Sequence, residues 1–157
     1  MRRVTPSQGV TVEMINVSKT FHSRNGAVEA VDNVSLSAQP GEFVSLLGPS
    51  GCGKSTILNM VAGLVPISSG QLTIDRKPVQ EPIDDMGIVF QRDLLLEWRT
   101  VLANVLLPVQ IKGLNNDKSV RHAHELLELV DLSDFTHRYP HELSGGMRQR
   151  VAICRAI

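Results

Sequence analysis

The feature that most constrains this chain is one glycine-rich segment, Gly48-Pro49-Ser50-Gly51-Cys52-Gly53-Lys54-Ser55-Thr56. It fits the pattern Gly-x-x-x-x-Gly-Lys-Ser/Thr, in which a loop closes around a phosphate group. The nearly all-apolar run at residues 43–47 precedes it and predicts a buried strand. A helix is predicted to follow over residues 55–62, with Gly63 ending it. The segment, hereafter the phosphate loop, therefore has the strand–loop–helix context that confirms the motif.

The residue types of the phosphate loop suit nucleotide phosphates. Glycines let backbone N–H groups point inward, and the start of a helix adds partial positive charge. Lys54 is expected to reach the β- and γ-phosphates, the Ser55 hydroxyl to coordinate Mg²⁺, and Thr56 to support the α/β-phosphate side. The alternative is an ordinary glycine-rich turn, but at a glycine frequency of about 7% a chance match is on the order of 1% or less.

Cys52 lies inside the phosphate loop and allows two interpretations. A helix N-terminus lowers the pKa of a thiol, which would make this cysteine reactive. We favour the second interpretation, a small residue tolerated at a variable position, because no base stands beside it in the sequence.

The first half of the chain has the pattern of strands and tight turns. Alternating apolar residues at 10–14 and 34–38 predict half-buried strands. Asn25-Gly26 predicts a hairpin turn, and Pro40-Gly41 a second turn. Two further strands are predicted at residues 71–74 and 87–90.

The second half is predicted to be helical. Thr100 is expected to cap a helix over residues 101–111 that Gly113 closes, and Asp117 to cap the next. The apolar face of that second helix is predicted to comprise Val120, Ala123, Leu127 and Val130. A last helix is expected from Ser144, with Met147, Val151 and Cys154 on one face.

A second anion-binding pattern stands at the start of this last helix, in Leu143-Ser144-Gly145-Gly146-Met147-Arg148-Gln149-Arg150, hereafter the signature segment. Ser144 can cap the helix while Gly145 and Gly146 expose backbone N–H groups. Alone, the segment could be an ordinary helix start. Two phosphate-type helix starts in one small chain, however, need a common explanation.

The two patterns together resemble the Walker A and the Leu-Ser-Gly-Gly signature of ABC transporter ATPases. Val89-Phe90-Gln91 resembles the strand that enters the Q-loop of this family, with Gln91 as its glutamine. Phe21 matches the aromatic residue that stacks on adenine, although a core phenylalanine is the alternative. Met147 replaces the glutamine that often follows Leu-Ser-Gly-Gly.

The resemblance implies an α/β fold with a P-loop NTPase (RecA-like) core, an N-terminal antiparallel β subdomain and a helical insert. We expect the β subdomain and core in residues 1–91, the insert in 92–142, and the signature motif and its helix in 143–157. In the family, a Walker B strand, a D-loop and a switch histidine follow the signature helix. No such elements precede Ile157, so we expect a chain cut short, with the C-terminal part of the core missing and no hydrolysis by the chain alone.

The resemblance also implies a function. In the family, two ATP-binding subunits pair head to tail, and Ser144, Gly145 and Gly146 would contact the γ-phosphate of the ATP held by the partner. Gln91 would sense Mg²⁺ and the attacking water, and the insert would dock on transmembrane permease subunits. Residues 91–105 are similar to importers of nitrate, sulfonates and taurine, although Glu97 stands where those usually have proline. We therefore expect the energy-coupling ATPase subunit of an importer, peripheral on the cytoplasmic face of the inner membrane.

Composition limits the alternatives. Sixteen basic and sixteen acidic side chains balance, so no electrostatic footprint for nucleic acid is present. No apolar run reaches the roughly 18 residues of a membrane span, which predicts no direct membrane insertion. A truncated remnant that binds nucleotide without hydrolysis stays open. A small phosphate-loop kinase would leave the signature segment without purpose, and a DNA-repair ATPase would carry heptads or paired cysteines in the insert.

Overall fold

The computed structural model describes residues 9–24 and 26–157. The chain divides into two compact units, the first ending at Asp85 and the second running from Met86 to Ile157. Each unit has its own hydrophobic core.

The first unit is built on a four-stranded antiparallel sheet with the order β2-β1-β3-β4. Its strands are β1 (Val12–Ser23), β2 (Gly26–Ala38), β3 (Ser69–Ile74) and β4 (Lys77–Pro78). The strands predicted around residues 10–14, 34–38 and 71–74 are therefore confirmed, although β1 begins only at Val12. Ser23 pairs with Gly26 at the end of the β1–β2 ladder, while Asn25 of the predicted hairpin turn lies outside the described residues.

One helix, α1 (Lys54–Val61), packs on this sheet. It confirms the helix predicted after the phosphate loop, and Gly63 follows it with a left-handed φ of 72°. The core between helix and sheet is made of buried apolar residues from both. These are Met14, Val17, Val31, Met60 and Leu72.

Two predicted strands are wrong. Residues 43–47 and residues 87–90 lie outside any strand ladder formed by the described residues. The side chains of Phe43 and Leu47 are 93% and 90% exposed, the reverse of the burial that the apolar pattern predicted. An apolar run becomes a strand only when a neighbouring strand accepts and donates its backbone hydrogen bonds. The described part of each unit provides no such neighbour for these runs.

The second unit is helical. It contains α2 (Val101–Val105), α3 (Leu107–Ile111), α4 (Asp117–Leu129) and α5 (Gly145–Ala156), with short 3₁₀ turns at Ser133–Phe135 and Pro140–Glu142. The predicted apolar faces of α4 and α5 are confirmed, because their residues lie in or against one core. That core centres on the fully buried Val101, Leu127, Leu132 and Val151.

Two details of the helix ends differ from the sequence. The helix predicted over residues 101–111 is interrupted at Leu106, because Pro108 has no N–H for a continuous helix and suits a first turn instead. Thr100 caps α2 as predicted, accepting a hydrogen bond from the Ala103 N–H at 3.3 Å. The prediction that Asp117 caps α4 is wrong by one residue.

Asn116 is the cap of α4. Its Oδ1 accepts hydrogen bonds from the N–H groups of Lys118 at 2.9 Å and Ser119 at 3.1 Å. The Ser119 hydroxyl accepts one from the Asn116 N–H in return, at 2.9 Å. Asp117 follows as an acid in the first turn, where the helix dipole favours negative charge. Within residues 9–24 and 26–157, no helix is long and apolar enough to cross a membrane.

Candidate functional site

Gly53 sets the geometry of the phosphate loop. Its φ is 90°, a left-handed conformation that side-chain-bearing residues adopt only at a cost. A Cβ at this position would lie 2.3 Å from the backbone oxygen of Ala30 on β2. Only glycine fits both conditions. The close approach of Ala30 and the left-handed turn into α1 together explain why the motif has glycine at position 53.

Lys54 folds back over the loop. Its Nζ donates hydrogen bonds to the backbone oxygens of Gly48 at 2.8 Å and Pro49 at 2.6 Å, and it lies 3.4 Å from the Cys52 sulfur. The ammonium group therefore lies against the loop backbone. A phosphate entering the loop would meet this positive charge as well as the N–H groups of the helix start.

Ser55 and Thr56 lie in the first turn of α1, directly after Lys54. The Ser55 side chain is exposed and that of Thr56 is half-buried. No acidic residue lies in this turn, so nothing on the helix itself offsets the positive end of its dipole. Pro49, Ser50 and Gly51 form the exposed outer part of the loop. The structure thus brings all nine residues of the motif into one continuous loop and helix start.

Cys52 is exposed, and its sulfur covers Gly48. A Cβ at Gly48 would lie 2.7 Å from this sulfur, so the two residues fit each other only because both are small. The interpretation of Cys52 as a tolerated small residue agrees with this packing and stays a prediction.

Phe21 lies on β1 and is 42% exposed, so it is not a core residue. The Lys19 Nζ lies 5.0 Å from the ring centroid, on one face of the ring. That ammonium is itself held by the backbone oxygen of Pro66 at 2.7 Å. Lys19 also pairs with Val31, which lies beside Gly53. The hairpin that carries Phe21 is therefore attached to the phosphate loop within the first unit.

The signature segment begins α5 in the second unit. Ser144 is the N-cap, and its hydroxyl accepts a hydrogen bond from the Met147 N–H at 3.3 Å. Gly145 and Gly146 are exposed. Among the described residues, a Cβ at Gly146 would meet no atom within 4 Å, and one at Gly145 would meet only the Arg148 side chain at 3.9 Å. Packing among the described residues of the second unit therefore does not explain why glycine occupies these positions.

Gln91 is exposed at the start of residues 91–97, hereafter the Q-loop segment. This segment and α5 line an open cavity of about 710 Å³. The polar residues around it are Gln91, Arg92, Asp93, Glu97, His141, Arg148 and Gln149.

The comparison with known proteins decides the family. A family model described as ABC transporter matches residues 31–157, most of the chain. The chain belongs to the ABC transporter family. The resemblance inferred from the two glycine-rich motifs is thereby confirmed.

Curated relatives in this family include importer subunits. The taurine import ATP-binding protein TauB of Rhizobium johnstonii is 47% identical over 143 residues, which cover 90% of this chain and 55% of the relative. The uncharacterized ABC transporter ATP-binding protein MJ0412 of Methanocaldococcus jannaschii is 40% identical over 148 residues, 94% of this chain and 55% of the relative. The chain spans about half the length of these relatives.

Solved structures of ABC cassettes have the same fold. A dimeric structure of MJ0796, a bacterial ABC transporter cassette, matches with a TM-score of 0.83 at 36% identity, over 93% of this chain and 68% of that chain. A post-hydrolysis state of the same cassette, bound to ADP and Pi, matches with the same TM-score at 37% identity. The predicted α/β P-loop NTPase fold is confirmed.

One residue that supports the motifs of this ABC family member, Asn104, was not predicted from the sequence. Asn104 is fully buried, and its amide bonds the N–H and oxygen of Leu96 and the backbone oxygens of Arg99 and Thr100. It therefore holds the chain between the Q-loop segment and α2. An asparagine among the apolar residues of a predicted helix was the only available signal, since its partners lie outside the helix.

Proposed function

We propose that this chain is the ATP-binding part of an ABC importer subunit, in which ATP hydrolysis is coupled to solute transport. The observation that carries the proposal is the phosphate loop, where Gly53 has no room for a side chain beside Ala30 and leads directly into α1, and where the Lys54 ammonium lies against the loop backbone. A glycine-rich loop that brings together N–H groups and an ammonium is suited to a chain of phosphates.

The residues of the first unit fit ATP-Mg²⁺. Lys54 would neutralise the β- and γ-phosphates, Thr56 would support the α/β side, and the exposed Ser55 hydroxyl would serve as a metal ligand. Gln91, in the second unit, is the further metal ligand that the family resemblance implies. Bound Mg²⁺ would neutralise charge on the phosphates during transfer to water. Phe21 offers an exposed ring for adenine, with its other face covered by the Lys19 ammonium.

A head-to-tail dimer explains the glycines of the signature segment. Among the described residues, a Cβ at Gly145 or Gly146 would meet no atom closer than 3.9 Å, and close approach of a partner is a reason for glycine at both positions. Exposed N–H groups at the start of a helix attract anions. We propose that they approach the γ-phosphate of the ATP held by the partner, together with Ser144.

The remaining assignments rest on the relatives. Several are named as taurine import proteins, which supports taurine or a similar small solute. Sulfonates and nitrate are the other candidates, from the resemblance of residues 91–105 alone. We propose that residues 92–142 form the insert that contacts transmembrane permease subunits. The subunit would then lie peripherally on the cytoplasmic face of the inner membrane.

Nucleotide binding by the 157-residue chain tests the proposal. Lys54→Ala should weaken binding of a fluorescent ATP analogue at least about tenfold, the cost of losing hydrogen bonds from a charged donor. Lys118→Ala is the control, because Lys118 is an exposed lysine on α4 of the other unit. Equal binding by the two variants would contradict the role of the phosphate loop.

A further inference from the structure

Asp93 of the Q-loop segment is bonded to the signature helix α5. Its Oδ2 accepts a hydrogen bond from the Arg148 Nε at 3.0 Å, in an ion pair whose side chains are each about two thirds buried or more. The same guanidinium donates to the backbone oxygen of Leu143 at 2.8 Å. One arginine therefore joins the Q-loop segment to the residue that precedes Ser144.

A second arginine of α5 reinforces this connection. The Arg155 guanidinium donates to the backbone oxygen of Leu94 at 2.7 Å and to that of Asp93 at 2.8 Å. Burial lowers the pKa of Arg155 from its ordinary value, and the Asp93 charge opposes that shift. Arginine nevertheless stays charged in proteins, so both hydrogen bonds are charge-assisted.

The segment so held has a strained backbone. Leu94 has a φ of 48°, in the left-handed region that costs a leucine free energy. Such a residue keeps this conformation only where its surroundings hold it, and such strain clusters at functional sites. Arg155 provides that restraint, because it donates hydrogen bonds to the backbone oxygens of Asp93 and Leu94, which lie one on each side of the Leu94 Cα.

We propose that Arg148 and Arg155 are positioning residues that tie the Q-loop segment to α5, so that Gln91 and the signature segment move as one body. The meaning of that coupling for ATP hydrolysis rests on the proposed function, whereas the tie itself does not. Movement at Gln91 would be transmitted through Asp93 and Arg148 to the start of α5, where Gly145 and Gly146 lie.

The tie acts on local order more than on global stability. Partly exposed ion pairs contribute little to folding. A neighbouring arginine on the same helix, Arg150, provides the comparison, because it donates to the backbone oxygen of Val130 at 2.6 Å instead of to the Q-loop segment. It is of the same residue type, on the same helix, and makes a hydrogen bond of the same kind.

Amide hydrogen exchange of the whole chain tests the tie without nucleotide. Arg155→Met should speed exchange at residues 94–97 about tenfold, the effect of losing charge-assisted hydrogen bonds, and Arg148→Met severalfold. Arg150→Met should leave these amides unchanged. The single tryptophan, Trp98, lies just beyond the segment, so its fluorescence anisotropy should fall in the first two variants only.

Transmission is tested from the other side of the pair. Asp93→Asn should speed exchange at residues 145–147, a change that loss of local packing at Asp93 would not cause. The double variant Asp93→Asn/Arg148→Met should exchange only slightly faster than either single variant, because both substitutions remove the same interaction. Arg148→Lys should restore part of the protection. Adding Leu94→Gly should shrink the effect of Arg155→Met, since glycine adopts the left-handed backbone without strain.

Each result supports or overturns the proposal. If Arg148→Met and Arg155→Met exchange like Arg150→Met, or if Asp93→Asn leaves residues 145–147 unaffected, the two motifs are not tied. Should a methionine variant fail to give a cooperative melt, Asp93→Asn and Arg148→Lys decide alone. If the unsubstituted chain does not bind the fluorescent ATP analogue while the exchange rates of the variants respond as expected, the proposed function is overturned and the tie stands.

Discussion

Replacing Gly53 with alanine tests how the phosphate loop is built. The substitution places a Cβ on a residue with φ 90°, which costs about 1–2 kcal/mol in the left-handed region. The new Cβ would also lie 2.3 Å from the Ala30 oxygen and 3.1 Å from Cγ2 of Val31. Forcing extra atoms into packed structure costs a further ~1–3 kcal/mol. Gly53→Ala should therefore lower the free energy of unfolding by about 2–5 kcal/mol.

Gly51→Ala is the matched control for this measurement. Gly51 has a similar φ of 83°, but a Cβ there would meet nothing within 4 Å in the part of the chain that the structure describes. It should therefore lose only the backbone contribution, about 1–2 kcal/mol. The difference between the two variants isolates the close approach of the loop to β2.

Urea unfolding followed by circular dichroism gives both free energies, and titration with the fluorescent ATP analogue gives the affinities. Gly53→Ala should bind more weakly than Gly51→Ala, because relief of the contact with Ala30 must move the start of α1. If the two variants are equally stable and bind equally, the contact with β2 does not determine the loop, and the reasoning fails.

Three further predictions concern the second unit. Gly146→Ala should leave the melting temperature within about a degree of the original, because the added Cβ meets no atom of the described residues within 4 Å. ATP-dependent dimerisation measured by light scattering should fall, and unchanged dimerisation would argue against a close partner. Asn116→Ala should lower the free energy of unfolding by ~1 kcal/mol through loss of the α4 cap, more than Asp117→Ala, and the reverse order would contradict the assigned cap. The hydrogen bond from the Tyr139 N–H and, as a smaller effect, that from Arg138 lower the pKa of the Glu142 carboxyl below its ordinary 4.5. The stabilisation that this carboxylate gives the folded protein is therefore present above pH 4.5 and lost as the pH falls through the lowered pKa. Urea unfolding of Glu142→Gln should show a deficit near neutral pH that disappears at low pH, and a deficit independent of pH would refute this cause.

Local sequence patterns predicted the helices of this protein well. Thr100 and Ser144 were recognised as caps because an N-cap depends on hydrogen bonds to residues two or three positions later. The error at α4 has the same origin, since Asn116 and Asp117 are both good caps and only backbone conformation separates them. Asn116 has the extended φ of −151° that a cap requires.

The strands were predicted less reliably because a strand depends on neighbours distant in sequence. The runs at residues 43–47 and 87–90 have the apolar composition of buried strands but no ladder among the described residues. In contrast, residues 71–74 became part of β3 because β1 pairs with them in register, from Val12 opposite Ile74. The apolar pattern alone could not separate these cases.

The sequence by itself determined the family, the phosphate loop and the signature segment, because each motif is a contiguous run whose chemistry is local. Only the tertiary structure decided what supports them. The contact of Gly53 with Ala30 and the pairing of Asp93 with Arg148 join residues far apart in the chain. Such partners are chosen by how the backbone folds in space, and no spacing in the sequence specifies that geometry.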